Sequence, residues 1–124
     1  MPTFGPRSKT HLSTCEQELQ DVLNEAIQHY DFSVIDGYRD MERQNLYFSE
    51  GKSQVRWPNG KHNSYPSRAV DIIPYPDGFD ASHSEFDRMA TYVLSAAARL
   101  GVPLVWGGHW KNFKDYAHFE LMDD

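Results

Sequence analysis

Residues 62–73 read HNSYPSRAVDII, and the fold follows from how this stretch is parsed. Ala69–Ile73 is apolar and β-branched, and the turn-rich PYPDG of residues 74–78 closes it, so it reads as a short strand. Side chains alternate across a strand, which places Asp71 on the face opposite Val70 and Ile72. A carboxylate in so apolar a strand is costly to bury unless it is paired or bound to a cation. His62 belongs to a stretch, residues 51–66, that is rich in Gly, Pro, Ser and Asn and lacks clear periodicity. A long excursion of that kind inside a compact domain is more often functional than incidental.

Upstream, residues 1–11 are expected to form an irregular arm. Ser13 and Glu16 have the spacing of a capping box. Leu19, Val22, Leu23, Ala26, Ile27 and Tyr30 then recur at helical spacing, which predicts a first helix over residues 13–30. Phe32–Gly37 reads as a short strand, and Asp40 as the cap of a second helix running to Glu50 and stopped by Gly51. Downstream, Ser82 and Glu85 repeat the capping box ahead of Phe86, Met89, Ala90, Val93, Ala97 and Leu100, with Gly101 as the stop. Val102–Trp106 and His118–Leu121 are two further strands, separated by GGHWKNFKDYA. The order suits an α+β domain of about three helices packed on a small, largely antiparallel sheet.

At 124 residues and 14.3 kDa the chain has material for one modest core, so residues 1–124 are expected to be a single domain. An apolar share of 40% marks it as globular rather than disordered. The net charge of −6 argues against broad binding to nucleic acid, which needs clustered Lys and Arg. Lys52, Arg56, Lys61 and Arg68 read as a solvated loop. Cys15 is the only cysteine, so an intrachain disulfide and a Cys-rich zinc finger are both excluded. It reads as a small core or boundary residue. The opening MPTFGPRSKTHLS lacks the apolar segment of a secretory signal, and no run approaches membrane-spanning length. The expectation is synthesis in the cytoplasm without stable membrane association.

His62, Asp71, Asp115 and His118 together have the composition of a catalytic zinc site. Such a site needs about three protein ligands and an open position, with a carboxylate nearby to take a proton from water. His62, Asp71 and His118 would be the ligands and Asp115 the base. The Asp-x-x-His spacing lets a turn set the carboxylate beside the metal while a strand holds the imidazole. Singly, each residue has a plainer reading. Asp71 could face solvent on an edge strand or pair with Arg68, His62 could be a solvated loop residue, His118 a packed histidine, and Asp115 a turn residue.

The chain resembles, over nearly its whole length, the zinc peptidases that include D-Ala-D-Ala carboxypeptidases and dipeptidases, and in particular phage endolysins that cut the L-alanyl-D-glutamate bond of peptidoglycan. HNSYPSRAVDIIPYP resembles the family's first metal motif and WGGHWKNFKDYAHFEL its closing one. Arg7-Ser8, EQELQDVLNEAI and FSVIDGYRDMERQ give weaker support. The resemblance implies the same zinc ligands and catalytic Asp115. It also implies that Arg39 stabilises the oxyanion or grips a substrate carbonyl or carboxylate, with Gln44 as a supporting polar residue. On the residues alone, Arg39 reads as a surface salt bridge with Asp36, Asp40 or Glu42.

Three positions depart from the family pattern. Gly60 stands where a Ser is usual, and the spacing is His-x8-Asp with Tyr65-Pro66-Ser67 inserted. His109 replaces the Asp of the usual Trp-Gly-Gly-Asp-Trp, as a substitute hydrogen-bonding residue or a competitor for metal. Asp115 replaces a Glu found in some relatives. One of Trp106 and Trp110 is expected in the core and the other on a substrate groove, and Tyr65, Tyr75 and Tyr116 are candidate rim residues. His11, His29 and His83 read as structural or solvated.

The implied substrate is the peptidoglycan stem peptide, with Gln44, Trp106, Trp110 and His109 as candidate contacts. The implied setting is a monomeric lysin without a separate wall-binding domain, released to the wall or periplasm by a holin-type lesion. Two other functions fit the same residues: a D,D-carboxypeptidase or dipeptidase, and a non-enzymatic wall-binding phage module that keeps the fold.

Overall fold

The computed structural model describes residues 2–123. Its frame is a four-stranded sheet in the order β1-β2-β4-β3, formed by Phe32–Asp36 (β1), Ala69–Pro74 (β2), Leu104–Trp106 (β3) and His118–Leu121 (β4). Every neighbouring pair is antiparallel. Four α-helices accompany it: Pro6–Leu12 (α1), Gln17–Ala26 (α2), Met41–Ser49 (α3) and His83–Leu100 (α4). The α+β reading with a largely antiparallel sheet therefore holds, with four helices rather than three.

The additional helix is α1, where an irregular arm was expected. It lacks an amphipathic stripe, and at seven residues it is too short to stand alone. Pro6 occupies its first turn, where the missing N–H costs nothing. Tertiary contacts hold it: Phe4 packs edge-on against Phe32, and the buried Ser8 hydroxyl accepts the Val34 N–H at 3.0 Å. The first long helix is correspondingly shorter than residues 13–30. Ser13 closes α1 by donating its N–H to Lys9, and the Glu16 N–H goes to Ser67 O at 2.9 Å, so α2 begins only at Gln17. Helical turns continue past Ala26 to Tyr30.

The other two long helices start and stop where their caps were read. Asp40 accepts the Arg43 N–H at 2.9 Å, and Ser82 accepts the Glu85 N–H at 3.2 Å. Gly101 takes a left-handed φ of 71°, and the Gly101 and Val102 N–H groups close back on Ala98 and Ala97 in a Schellman arrangement.

The core lies on one face of the sheet. Val70, Ile72 and Phe119 are wholly buried there, with Leu19, Val22 and Leu23 of α2 and Met89 and Val93 of α4 in the same cluster. Register then decides what the other face carries. Asp71 lies opposite His118 and Ala69 opposite Glu120, so the polar members of β2 and β4 are neighbours. A register shift between Val34 and Asp36 brings Asp36 opposite Asp71. Bulges re-aim side chains in this way beside functional sites.

Candidate metal centre

The polar face of β2 and β4 forms the floor of a cleft of about 930 Å³ whose walls include Arg39, Phe79, Trp110 and Asp115. Three ligand atoms converge there. His62 Nε2 is 3.3 Å from His118 Nδ1 and 3.3 Å from Asp71 Oδ1, and His118 Nδ1 is 3.1 Å from Asp71 Oδ1. A tetrahedral ion with bonds near 2.0–2.1 Å separates its ligands by about 3.3 Å, so the triangle has the size of one face of such a polyhedron.

The hydrogen bonds behind the ligands give the triangle its chemistry. His62 Nδ1 donates to Gly37 O at 2.7 Å, and His118 Nε2 donates to Glu120 Oε1 at 2.8 Å. Both rings are thereby directed to present lone pairs toward Asp71 Oδ1. Three acceptors facing one another require a cation, either a metal ion or a proton. Burial alone would lower the His118 pKa, but hydrogen bonds to Asp71 and Glu120 and the Asp71 charge raise it to about 9. Burial likewise opposes ionisation of Asp71, yet the neighbouring His62 and His118 hold it well below the usual carboxylate range. The donor set of two imidazoles and one carboxylate suits zinc.

The lengthened His62–Asp71 interval is closed by backbone hydrogen bonds. The Arg68 N–H donates to Lys61 O at 3.1 Å, pinching off the inserted residues. Ser67 packs at zero exposure against the α1–α2 junction, where its N–H reaches Thr14 O at 2.8 Å. Its Oγ donates to Ala69 O. The insertion is thus anchored by the N-terminal segment, and β2 starts in register for Asp71.

Asp115 lines the same cleft on the loop between β3 and β4. Its N–H donates to Gly107 O at 3.1 Å, and its carbonyl accepts the His118 N–H at 3.3 Å. A Cβ on Gly107 would stand 2.5 Å from Asp115 O and 3.2 Å from the His118 Cβ, so this glycine is needed for close approach. The Asp115 carboxylate accepts only the Ala117 N–H, at 3.3 Å, from the described residues. Burial, and next the charge of Asp71, push its pKa up. Glu120 is shifted the other way: burial opposes its charge, but His118 and Lys61 bind the carboxylate and lower its pKa.

Arg39 is not on the surface, as a simple ion pair would place it, but 5% exposed beneath the cleft. Its Nε and Nη2 donate to Asp36 Oδ2 at 3.0 and 2.8 Å, Nη2 also reaches Asp71 Oδ2 at 3.2 Å, and Nη1 donates to Gln44 Oε1. One guanidinium therefore joins the two opposed carboxylates that the bulge brings together, leaving one Nη1–H uncommitted. Asp71 pairs with Arg39 rather than with Arg68, whose Nη2 donates to Met122 O. Gln44 has both amide hydrogens donated, to Ser53 and Val55, and its oxygen shared by Arg39 and Asn63. Its four positions are filled within the protein, and it ties the residue 53–63 loop to α3.

Trp106 is in the core, stacked on Phe119 with its indole N–H on Tyr116 O, whereas Trp110 lines the cleft with its ring 5.2 Å from that of His118. His109 is exposed and edge-on to Trp106, outside the triangle of ligands and outside the cleft lining. Tyr65 and Tyr75 are exposed, and Tyr116 is half-buried beside Trp106. Lys61 and Arg68 are not part of a solvated loop; both are bonded to β4 and the segment after it. Asn63 and Glu120 were not singled out from the sequence, whereas Asp36 was named as a partner of Arg39, which it is, and Lys61 only as a loop residue. For Glu120 a signal was present, since it lies two residues from His118 and so on the same strand face.

Among the described residues no helix is long and apolar enough to cross a membrane. The profile of the phage L-alanyl-D-glutamate peptidases matches residues 2–123. The chain is similar to the peptidoglycan L-alanyl-D-glutamate endopeptidase CwlK of Bacillus subtilis (strain 168), with 28% identity over an alignment of 105 residues that covers 74% of this chain. The match spans 61% of that relative's length. The crystal structure of the Serratia marcescens L-Ala D-Glu endopeptidase ChiX superposes with a TM-score of 0.83 and 31% identity, covering 97% of this chain and 90% of that one. The LdcB LD-carboxypeptidase, at 18% identity and a TM-score of 0.60 over 86% of this chain and 58% of its own, shares the fold.

Proposed function

This chain belongs to the phage L-alanyl-D-glutamate peptidase family, and from that premise we propose that it hydrolyses the L-alanyl-D-glutamate bond of peptidoglycan stem peptides, with zinc held by His62, Asp71 and His118. The observation that carries the reading is the triangle of lone-pair donors, with edges of 3.1–3.3 Å, on the floor of a cleft that Asp115 also lines. When bound, the ion supplies Lewis acidity, which polarises a carbonyl and brings the pKa of a coordinated water toward about 7.

The chain's own residues do the rest. Asp115, with its raised pKa and single backbone partner, accepts a proton from the attacking water and returns it to the leaving amine. Arg39 holds Asp71 in place and keeps one Nη1–H for the substrate's developing negative charge. Trp110 gives the peptide a flat apolar wall. Gln44 acts by fixing Arg39 and the cleft loop. A phage origin and action at the bacterial wall follow from the same family premise.

The test is digestion of purified peptidoglycan with analysis of the new termini. The expected product carries a free N-terminal D-glutamate, with activity lost on chelation and restored by zinc. His118→Ala should lose both bound zinc and turnover. Release of D-alanine instead would make the enzyme a carboxypeptidase, and wall binding without any cleavage at any zinc concentration would overturn the enzymatic reading.

A further inference from the structure

Glu120 is a further carboxylate of the cleft, and the roles given to His62, Asp71, His118 and Asp115 leave it unused. Its two oxygens are divided. Oε1 accepts His118 Nε2–H at 2.8 Å, and Oε2 accepts Lys61 Nζ at 2.9 Å. The Lys61 ammonium donates to Leu121 O at 2.6 Å and forms ion pairs with Glu120 Oε2 and, at 3.2 Å, with Asp123 Oδ1. Lys61 is thus engaged within the protein. It is also the residue before His62, so the Lys61–Glu120 pair links the turn that carries one ligand to the strand that carries another.

We propose that Glu120 is a positioning residue for the metal ligand His118 and that Lys61 is its clamp, the pair setting which imidazole nitrogen faces the ion and how tightly the ion is held. The inference rests on the zinc-centre reading given above. A neutral imidazole can carry its hydrogen on either nitrogen, and only the Nε2–H form leaves the Nδ1 lone pair facing Asp71 and His62. Glu120 selects that form by accepting the Nε2–H, and its charge makes the ring a stronger donor to a cation. Lys61 in turn holds the second oxygen, so that Glu120 does not swing inward as a rival ligand. The link between the two ligand segments is made by protein groups alone.

Zinc affinity, measured by competition with a chromophoric chelator, and the histidine 15N–1H correlation spectrum of the zinc-loaded protein test this together. Glu120→Ala should bind zinc about 10–100-fold more weakly and lose the slowly exchanging Nε2–H signal of His118. Glu120→Gln fills the same space and keeps an acceptor oxygen, so it should fold normally and show a smaller but measurable loss. Lys61→Met should fall between wild type and Glu120→Ala. Zinc affinity equal to wild type in both Glu120 variants would overturn the proposal. So would a Glu120→Gln protein that keeps full zinc affinity but loses turnover, since Glu120 would then act on the substrate. A wild-type protein that takes up no zinc would instead overturn the metal centre itself, a result these variants leave distinguishable.

Discussion

β2 and β4 lie side by side in the sheet, and their two faces are made from alternate residues of the same short segments. On one face Val70, Ile72 and Phe119 are wholly buried against the helices. One residue away in each strand, Asp71, His118 and Glu120 form a chain of polar contacts running from Arg39 to Lys61. The first face is held by burial of apolar area, which has no direction and needs no partner beyond good packing. The second is held by directed contacts among acceptors, and these remain incomplete until a proton or a metal ion sits between them. A one-residue slip would exchange the faces, so the pairing that makes the core also makes the site.

The sharpest way to break this contrast is to remove function without touching either set of contacts. Asp115→Asn is expected to lower kcat by about 10²–10⁴-fold while leaving zinc uptake and melting temperature unchanged. Its side chain makes one long backbone hydrogen bond and supports none of the ligands. A parallel loss of stability would move Asp115 from the chemistry to the scaffold.

The next effect belongs to the apolar face. Ile72→Ala should cost about 2–5 kcal/mol of stability, through lost burial and the cavity left behind. Denaturant titrations should give the same loss in zinc-loaded and metal-free protein. A difference above about 1 kcal/mol between the two states would show that the faces are energetically coupled and that the division drawn here is false.

Alternation along two strands was legible because both faces are strongly biased. HFEL announces a period of two, which places Glu120 beside His118, while in AVDII the single polar residue Asp71 marks the second face. The caps Asp40, Ser82 and Gly101 were legible because a single residue carries the signal. The seven residues of α1 were not, since their helix depends on Ser8 meeting Val34 and Phe4 meeting Phe32, contacts between segments far apart in the chain. The same holds for Arg39. Its burial follows from a register shift in β1 that no local pattern announces. Closure of the His62–Asp71 loop likewise depends on Ser67 packing against the α1–α2 junction, a partner more than fifty residues away. Residue types and spacing brought out His62, Asp71 and His118, which the fold gathers into one triangle, whereas the charges and carbonyls behind them became visible only with the chain folded.

The smallest predicted effect concerns the cation that completes the polar face. Without metal, burial lowers the His118 pKa, but hydrogen bonds to Asp71 and Glu120 and the Asp71 charge outweigh it and raise the pKa from the ordinary 6.5 to about 9. A pKa raised by folding contributes stability that is fully present below the unfolded value and is lost as pH climbs through the folded one. Metal-free protein should therefore lose stability between pH 6.5 and 9, on the order of 2 kcal/mol. Zinc must displace that proton, so its affinity should rise across the same window. Thermal melts at pH 6, 7.5 and 9, with chelator and with zinc, should show the two curves separating as pH increases. Ile72→Ala should shift both curves down without changing how they separate. A flat metal-free profile from pH 6.5 to 9 would mean that no proton is shared among His62, Asp71 and His118, and the polar face would then owe its geometry to packing, as its opposite face does.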